Sequence, residues 1–247
     1  MRIKNNRPLK VNLFIPCFID QLYPDTAFNM VKVLKKLGCE VNYNPNQTCC
    51  AQPAFNAGFW KEASDVGRKF IQDFSGDEYV VGPSGSCVGF VRNFYGELFD
   101  NSASHNDCRQ LQKNIFEFTE FLTTVLKVTD VGAELKGKAT YHDGCGSLRE
   151  CKIKTGPRQL LEKVKGLELV EMNECETCCG FGGTFAVKYD AISVAMANQK
   201  IANALKTGAE YIISGDASCL LHVDGVIKKQ NHPLKTMHIA DVLASGW

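Results

Sequence analysis

Eight of the twelve cysteines in this 247-residue chain fall into two ordered sets. Cys17, the adjacent pair Cys49-Cys50, and Cys87 form the first; Cys145, Cys178-Cys179 and Cys219 form the second. Corresponding members lie 128, 129, 129 and 132 residues apart, so the register drifts by only four across the repeat, which is the mark of an internal duplication. Four thiolates converging from separate loops suit a tetrahedral zinc site or an iron–sulfur cluster. Structural zinc is usually held by short Cys-x-x-Cys knuckles, and the repeated cysteines form none. Vicinal cysteines put two thiolates on consecutive residues, which is awkward around one small ion and easier around a cluster with several iron corners. The compact cysteine run of bacterial ferredoxins is also missing, so a simple ferredoxin is not expected.

The elements that must position these thiols also repeat. Val11 to Cys17 and Ala139 to Cys145 read as strands ending in a cysteine, and Tyr79 to Cys87 and Tyr211 to Cys219 as strands ending in a Gly-rich loop. Between them, Ala27, Met30, Val31, Leu34 and Leu37 make a helical stripe stopped at Gly38; Val194, Ala197, Ile201 and Leu205 make its counterpart before Gly208. A further helix is expected over Leu111 to Leu126. Strands alternating with helices predict an α/β protein of two tandem duplicated βα repeats with mostly parallel sheets. The cysteine sites should then lie at the carboxyl edges of the strands, where open α/β sheets bind ligands. The boundary is placed near Glu134, giving an N-terminal repeat over 1–134 and a C-terminal repeat over 135–247.

Bulk composition narrows the partners. A net charge of +1, 45 % hydrophobic and 22 % charged residues describe an ordinary globular chain with no electrostatic footprint for nucleic acid or an anionic membrane. The start, Met1 to Lys10, is polar and basic, and no signal peptide or transmembrane segment is read. A reducing, cytoplasmic setting follows, in which twelve cysteines serve metal or redox chemistry rather than a disulfide framework. Gly180-Phe-Gly182-Gly183 lacks the third glycine of a dinucleotide fingerprint, where Phe185 stands, and Ser86 replaces the last glycine of a nucleophile elbow. Hydride transfer and hydrolysis are therefore poor readings, and His105, His222, His232 and His238 show no ligand spacing.

The run Cys178-Cys179-Gly180-Phe181-Gly182-Gly183-Thr184-Phe185, with Tyr141-His142-Asp143-Gly144-Cys145 and Asp216-Ala217-Ser218-Cys219, resembles the cysteine-rich (CCG) domain family. That family includes the heterodisulfide reductase B subunit and the iron–sulfur subunit of glycolate oxidase, and the likeness extends from Val11 to Trp247. The resemblance implies an iron–sulfur electron-transfer subunit of a cytoplasmic L-lactate (2-hydroxy acid) oxidation complex, lactate to pyruvate. Its implied partners are a ferredoxin-motif iron–sulfur protein and a third small subunit; no catalytic residue is assigned. Heterodisulfide-reductase-like members carry a fifth thiol per repeat, at positions where this chain has Ser84 and Asp216. Four thiols per repeat favour one [4Fe–4S] cluster per half, or a site completed by the Asp216 carboxylate. Cys175, in Cys-Glu-Thr-Cys178, is the candidate extra ligand, and His142 a candidate hydrogen-bond donor to a cluster sulfur; Cys39 is expected in the core. A thiol/disulfide redox subunit and a zinc-stabilised non-redox scaffold are the alternatives.

Overall fold

A computed structural model describes residues 8–247; the polar start over which no export signal is read lies, from Met1 to Arg7, outside the described residues. The first half runs β1 (Lys10–Leu13), α1 (Cys17–Leu22), α2 (Pro24–Lys36), β2 (Glu40–Tyr43), α3 (Gln52–Asn56), α4 (Trp60–Asp73), β3 (Tyr79–Gly82), α5 (Gly85–Phe99), α6 (His105–Asn114), β4 (Ile115–Glu117) and α7 (Phe118–Glu120). A π-helical turn, Phe121–Val125, leads to the second half. There β5 (Glu134–Tyr141), a π-helical turn (Gly146–Glu150), α8 (Thr155–Leu161), β6 (Lys165–Leu169), α9 (Thr184–Lys188), α10 (Asp190–Lys206), β7 (Tyr211–Ser214), α11 (Ala217–Gln230), β8 (Lys235–His238) and α12 (Ile239–Leu243) follow.

Each half is a four-stranded, all-parallel sheet, in the orders β2-β1-β3-β4 and β6-β5-β7-β8. The central strands are apolar without strict alternation, as strands covered on both faces must be: in β3, Val80 and Val81 are both fully buried. One core is common to the two halves. It joins Val11, Met30, Leu34 and Val81 to Tyr141, Leu160, Ile213 and Leu243, and α12 packs on α2, where Thr26 Oγ1 and Asn29 Nδ2 each donate to Asp241 at 2.9 Å.

Both helical stripes form helices. α2 ends just before Gly38, whose φ of +82° ends the helix in a conformation few other residues adopt, and α10 ends before Gly208 at +70°. Ala197 and Ile201 are buried as the stripe requires, whereas Val194 lies at the surface. The helix expected over Leu111 to Leu126 is broken. Ile115–Glu117 instead pairs with β3 as the fourth strand, with Val80 opposite Ile115. Glu117 then opens a new helix through a capping box, accepting from the N–H groups of Thr119 and Glu120 while Glu120 accepts from its own N–H. The stripe misleads because Leu111, Ile115, Phe118, Phe121 and Leu122 are all buried, from four different elements.

The halves meet at their carboxyl edges. Ser84 and Asp216, the N-caps of α5 and α11, form an isolated antiparallel bridge, and Asp216 Oδ2 accepts the Ser86 N–H at 3.0 Å. Buried His238 ties the same corner: Nδ1 accepts the Ala240 N–H, so Nε2 carries the proton and donates to the Pro83 carbonyl at 3.1 Å. The backbones touch so closely that a Cβ on Gly146 would lie 2.4 Å from Ser86 Cα, and one on Gly85 would lie 2.7 Å from Ser147 Cα. Gly146→Ala is therefore expected to cost at least about 1–3 kcal/mol of stability. Urea unfolding measures it, and a loss under about 0.5 kcal/mol, as for an ordinary surface change, would show the contact to be slack.

Candidate metal centre

In each sheet the strand order reverses between the first and third strands, β1 and β3 or β5 and β7, and a crevice opens at the carboxyl edge of such a switch point. The cysteines are placed there. Cys17 opens α1 directly after β1, and Cys87 lies in the first turn of α5 after β3. Cys145 caps the π-helical turn after β5, and Cys219 lies in the first turn of α11 after β7. The vicinal pairs come from the loops after β2 and β6. Cys17, Cys87 and Cys219 thus stand at helix N-termini rather than in open Gly-rich loops.

All eight repeated cysteines line a single cleft of about 230 Å³, shared with Ser84, Asp216, Phe18 and Phe181. Phe18 of the first half meets Phe181 of the second edge to face, with ring centroids 5.6 Å apart. Within each half the thiols interact strongly. Cys17 and Cys49 sulfurs are 3.9 Å apart, and the hydrogen bond from Cys17 holds the Cys49 thiol far below its ordinary range while Cys17 is pushed up. Cys145 and Cys178 repeat this pairing. Cys50 and Cys179 are raised, chiefly by hydrogen bonds to Cys49 and Cys178; Cys219 falls to about 7 because Cys179 donates to it, against the opposing effect of burial. The largest of these influences come from thiols of the same half, so the cleft holds two four-thiol sets.

The sets share a backbone device. Ala51 N–H points at Cys49 Sγ and Gly180 N–H at Cys178 Sγ, each at 3.4 Å, and Phe181 N–H reaches Cys179 Sγ at 3.5 Å. Ala51 and Gly180 both have left-handed backbones, φ +74° and +94°. At Gly180 no side chain is possible, since a Cβ would lie 2.5 Å from the Ser193 carbonyl oxygen. Ser193 Oγ in turn donates to the Gly180 carbonyl at 2.7 Å and lies 3.1 Å from His222 Nε2, fixing the loop against α10 and α11.

The additional candidates separate. His142 is buried; its Nδ1 lies 3.3 Å from the Cys175 carbonyl, and its Nε2 has no hydrogen-bond partner. One of its ring nitrogens lies within 4.8 Å of the Cys179 and Cys219 sulfurs. Both Asp216 oxygens are engaged, Oδ2 by Ser86 N–H and Oδ1 by Ser218 Oγ at 2.7 Å, so the carboxylate secures the junction of the halves. Cys175 is not among the residues lining the cleft, and its sulfur stands 3.9 Å from Arg158 Nη2, whose guanidinium forks the Asp143 carboxylate. Cys39, Cys108 and Cys151 belong to the hydrophobic core. Sequence reasoning passed over Lys200, which is 2 % exposed and donates to the carbonyls of Glu174 and Cys175 at 2.7 and 3.1 Å. Its signal was present: it occupies the inward position between Ala197 and Ile201 and Ala204 on α10.

The donor set fits a thiolate-held metal or iron–sulfur group: four convergent thiols per half, N–H groups directed at sulfur, and an unpartnered buried imidazole nitrogen. Comparison with known proteins agrees with the duplication. The cysteine-rich domain model (CCG) matches residues 11–92 and again 139–224. The chain belongs to that family. It is 42 % identical over 237 residues to lactate utilization protein A of Geobacillus sp. (strain WCH70), covering 96 % of this chain and 100 % of that protein. It is 43 % identical to the protein of the same name from Bacillus pumilus (strain SAFR-032), again covering 96 % and 100 %. Among solved structures, a hypothetical protein from Helicobacter pylori matches with a TM-score of 0.59 and 12 % identity over 96 % of this chain, which shows a common fold. The chain spans about half, 49 %, of that protein's length. No helix among the described residues is long and apolar enough to cross a membrane.

The thiol pattern sets an order of reactivity in metal-free, reduced protein. Cys49 and Cys178 are expected to alkylate first at pH 6, ahead of the more exposed Cys17 and Cys145, because the thiolate is the nucleophile. Peptide mass mapping after short iodoacetamide pulses reads the order; labelling ranked by exposure alone would contradict it.

Proposed function

We propose that this chain is an iron–sulfur electron-transfer subunit of a cytoplasmic L-lactate-oxidising system, with one [4Fe–4S] cluster in each repeat, the repeats dividing near Glu134. Cys17, Cys49, Cys50 and Cys87 would hold one, and Cys145, Cys178, Cys179 and Cys219 the other. The observation that carries this reading is that both four-thiol sets open on one cleft. A metal serving only to staple a fold needs no shared cavity, whereas two redox groups exchanging electrons need proximity. When bound, each cluster supplies one-electron uptake and release.

The residues around the thiols supply the rest. Helix N-termini and the N–H groups of Ala51, Gly180 and Phe181 offset the negative charge of thiolate and sulfide. Phe18 and Phe181, packed edge to face, line the cleft with apolar surface. Oxidation of a 2-hydroxy acid to a 2-oxo acid releases two electrons, which two one-electron sites can take in turn. The chain has no hydride-accepting motif, so a partner must handle the hydroxy acid. The names of its relatives support lactate as that acid and a multi-subunit system, in which a ferredoxin-motif iron–sulfur protein and a third small subunit are the proposed partners. A disulfide-reducing role is disfavoured, because Ser84 and Asp216 replace the fifth thiols and Asp216 is committed to the junction.

One observation favours zinc as the second reading. The 3.9 Å separation of the Cys17 and Cys49 sulfurs is close to the edge of about 3.8 Å for a tetrahedron with Zn–S bonds of about 2.3 Å. Metal analysis separates the two. Anaerobically purified protein is expected to be brown, to carry about eight iron and eight sulfide per chain, and to bleach with dithionite. Cys49→Ser and Cys178→Ser should each lose about half the iron. Colourless protein with stoichiometric zinc overturns the electron-transfer reading, and loss of all iron in either variant overturns one cluster per half.

A further inference from the structure

The two half-sites share their ligands but not their floors. Helices α4 and α10 superpose in sequence at an offset of 130, which matches the buried residues Ala63, Gly67, Phe70, Ile71 and Phe74 to Ser193, Ala197, Lys200, Ile201 and Ala204. Three residues before the first cysteine of each set, Phe14 corresponds to His142. In the first half Phe14 and Phe70 pack edge to face at 4.7 Å, in a cluster of Phe, Val, Ile and Tyr side chains that also holds Cys50. Their counterparts in the second half, His142 and Lys200, converge on the Cys175 carbonyl, at 3.3 and 3.1 Å. An apolar pair has been exchanged, at both of its members, for a nitrogen donor and a cation.

From this we propose, resting on the reading of one iron–sulfur cluster per half, that the C-terminal site has the higher reduction potential and collects the electron, with Lys200 and His142 as the positioning residues that set the difference. An added electron is a unit of negative charge, and a buried cation lowers its cost in a poorly screened interior. His142 takes the place of Phe14 with one ring nitrogen within 4.8 Å of the Cys179 and Cys219 sulfurs and Nδ1 3.3 Å from the Cys175 carbonyl, so the surroundings of the second set are more polar than those of the first. Burial lowers the Lys200 pKa, and the nearby thiols Cys175, Cys179 and Cys219 act the other way, favouring its charged form. Buried Asp143 is offset by Arg158, which forks it; Glu171, the second carboxylate on Arg158, is exposed to water, and Asp216 lines the cleft shared by both sets. In the first half Phe14 and Phe70 belong to a cluster of buried hydrophobic side chains. The transfer from first to second half is a single electron, with no bond made or broken.

Redox titration of the full chain, loaded anaerobically and followed by electron paramagnetic resonance, tests this. Two waves are expected. Cys49→Ser should retain only the upper wave and Cys178→Ser only the lower. Lys200→Met should lower the upper wave by the equivalent of about tenfold in the reduction equilibrium, about 59 mV for one electron, leave the lower wave in place, and keep full iron content; Lys200→Arg should restore it. A single wave, the reverse assignment in the cysteine variants, or an equal shift of both waves overturns the inference while leaving cluster binding intact. If Lys200→Met loses its iron, His142→Phe, which restores the first-half residue, takes its place with the same expected direction. Absence of iron and sulfide from the wild-type chain overturns the cluster reading and this inference together.

Discussion

Two glycines meeting across the molecule hold the cysteine cleft together. At Gly85–Ser86 and Gly146–Ser147 the backbones of the two halves come closer than any side chain allows. The Asp216 carboxylate spans the same corner to the Ser86 N–H, and His238 holds the Pro83 carbonyl. Three of these residues stand beside cysteines: Ser86 precedes Cys87, Gly146 follows Cys145, and Asp216 lies one helical turn before Cys219. The contact that joins the halves is therefore also the contact that aims the thiols. Its polar groups are buried but paired, which is the condition under which such groups stabilise rather than penalise a fold.

Around that corner the parallel sheets do what such sheets do elsewhere, reversing the strand order between β1 and β3 and between β5 and β7 so that a crevice opens at the edge where the loops gather. The thiols gain from being delivered at helix starts, where partial positive charge is available without any basic side chain. The left-handed turns at Ala51 and Gly180 add N–H groups directed at sulfur. Ala51 adopts this backbone despite carrying a Cβ, a strain that the buried surroundings of Cys50 and Tyr95 must overcome; Tyr95 Oη donates to the Cys50 carbonyl at 3.0 Å.

The duplication, the fold class and the gathering of eight cysteines at the strand ends were legible because they depend on spacing and on apolar periodicity, both of which are local in sequence. Segment Ile115–Glu117 was not, because five inward-facing residues from Leu111 to Leu122 mimic a single helix while belonging to a helix, a strand, a second helix and a π-helical turn. Pairing with β3 decides that segment, and pairing is non-local. Asp216 read as a spare ligand because its alignment with Ser84 is visible in sequence, but its commitment to Ser86 from the other half is not. Lys200 hid in plain view: a lysine on an apolar stripe reads as an exposed edge until the Glu174 and Cys175 carbonyls are seen beneath it.

Fusion of the repeats into one polypeptide has a consequence for how the centre can evolve. In a symmetric homodimer every substitution occurs twice, so two facing sites remain chemically identical whatever selection asks of either. Here the copies are covalently joined but separately encoded, and the pair Phe14 and Phe70 could part company from His142 and Lys200 without disturbing the ligands they share. The chain is a dimer released from its own symmetry, and direction, which a symmetric pair cannot possess, becomes available to it.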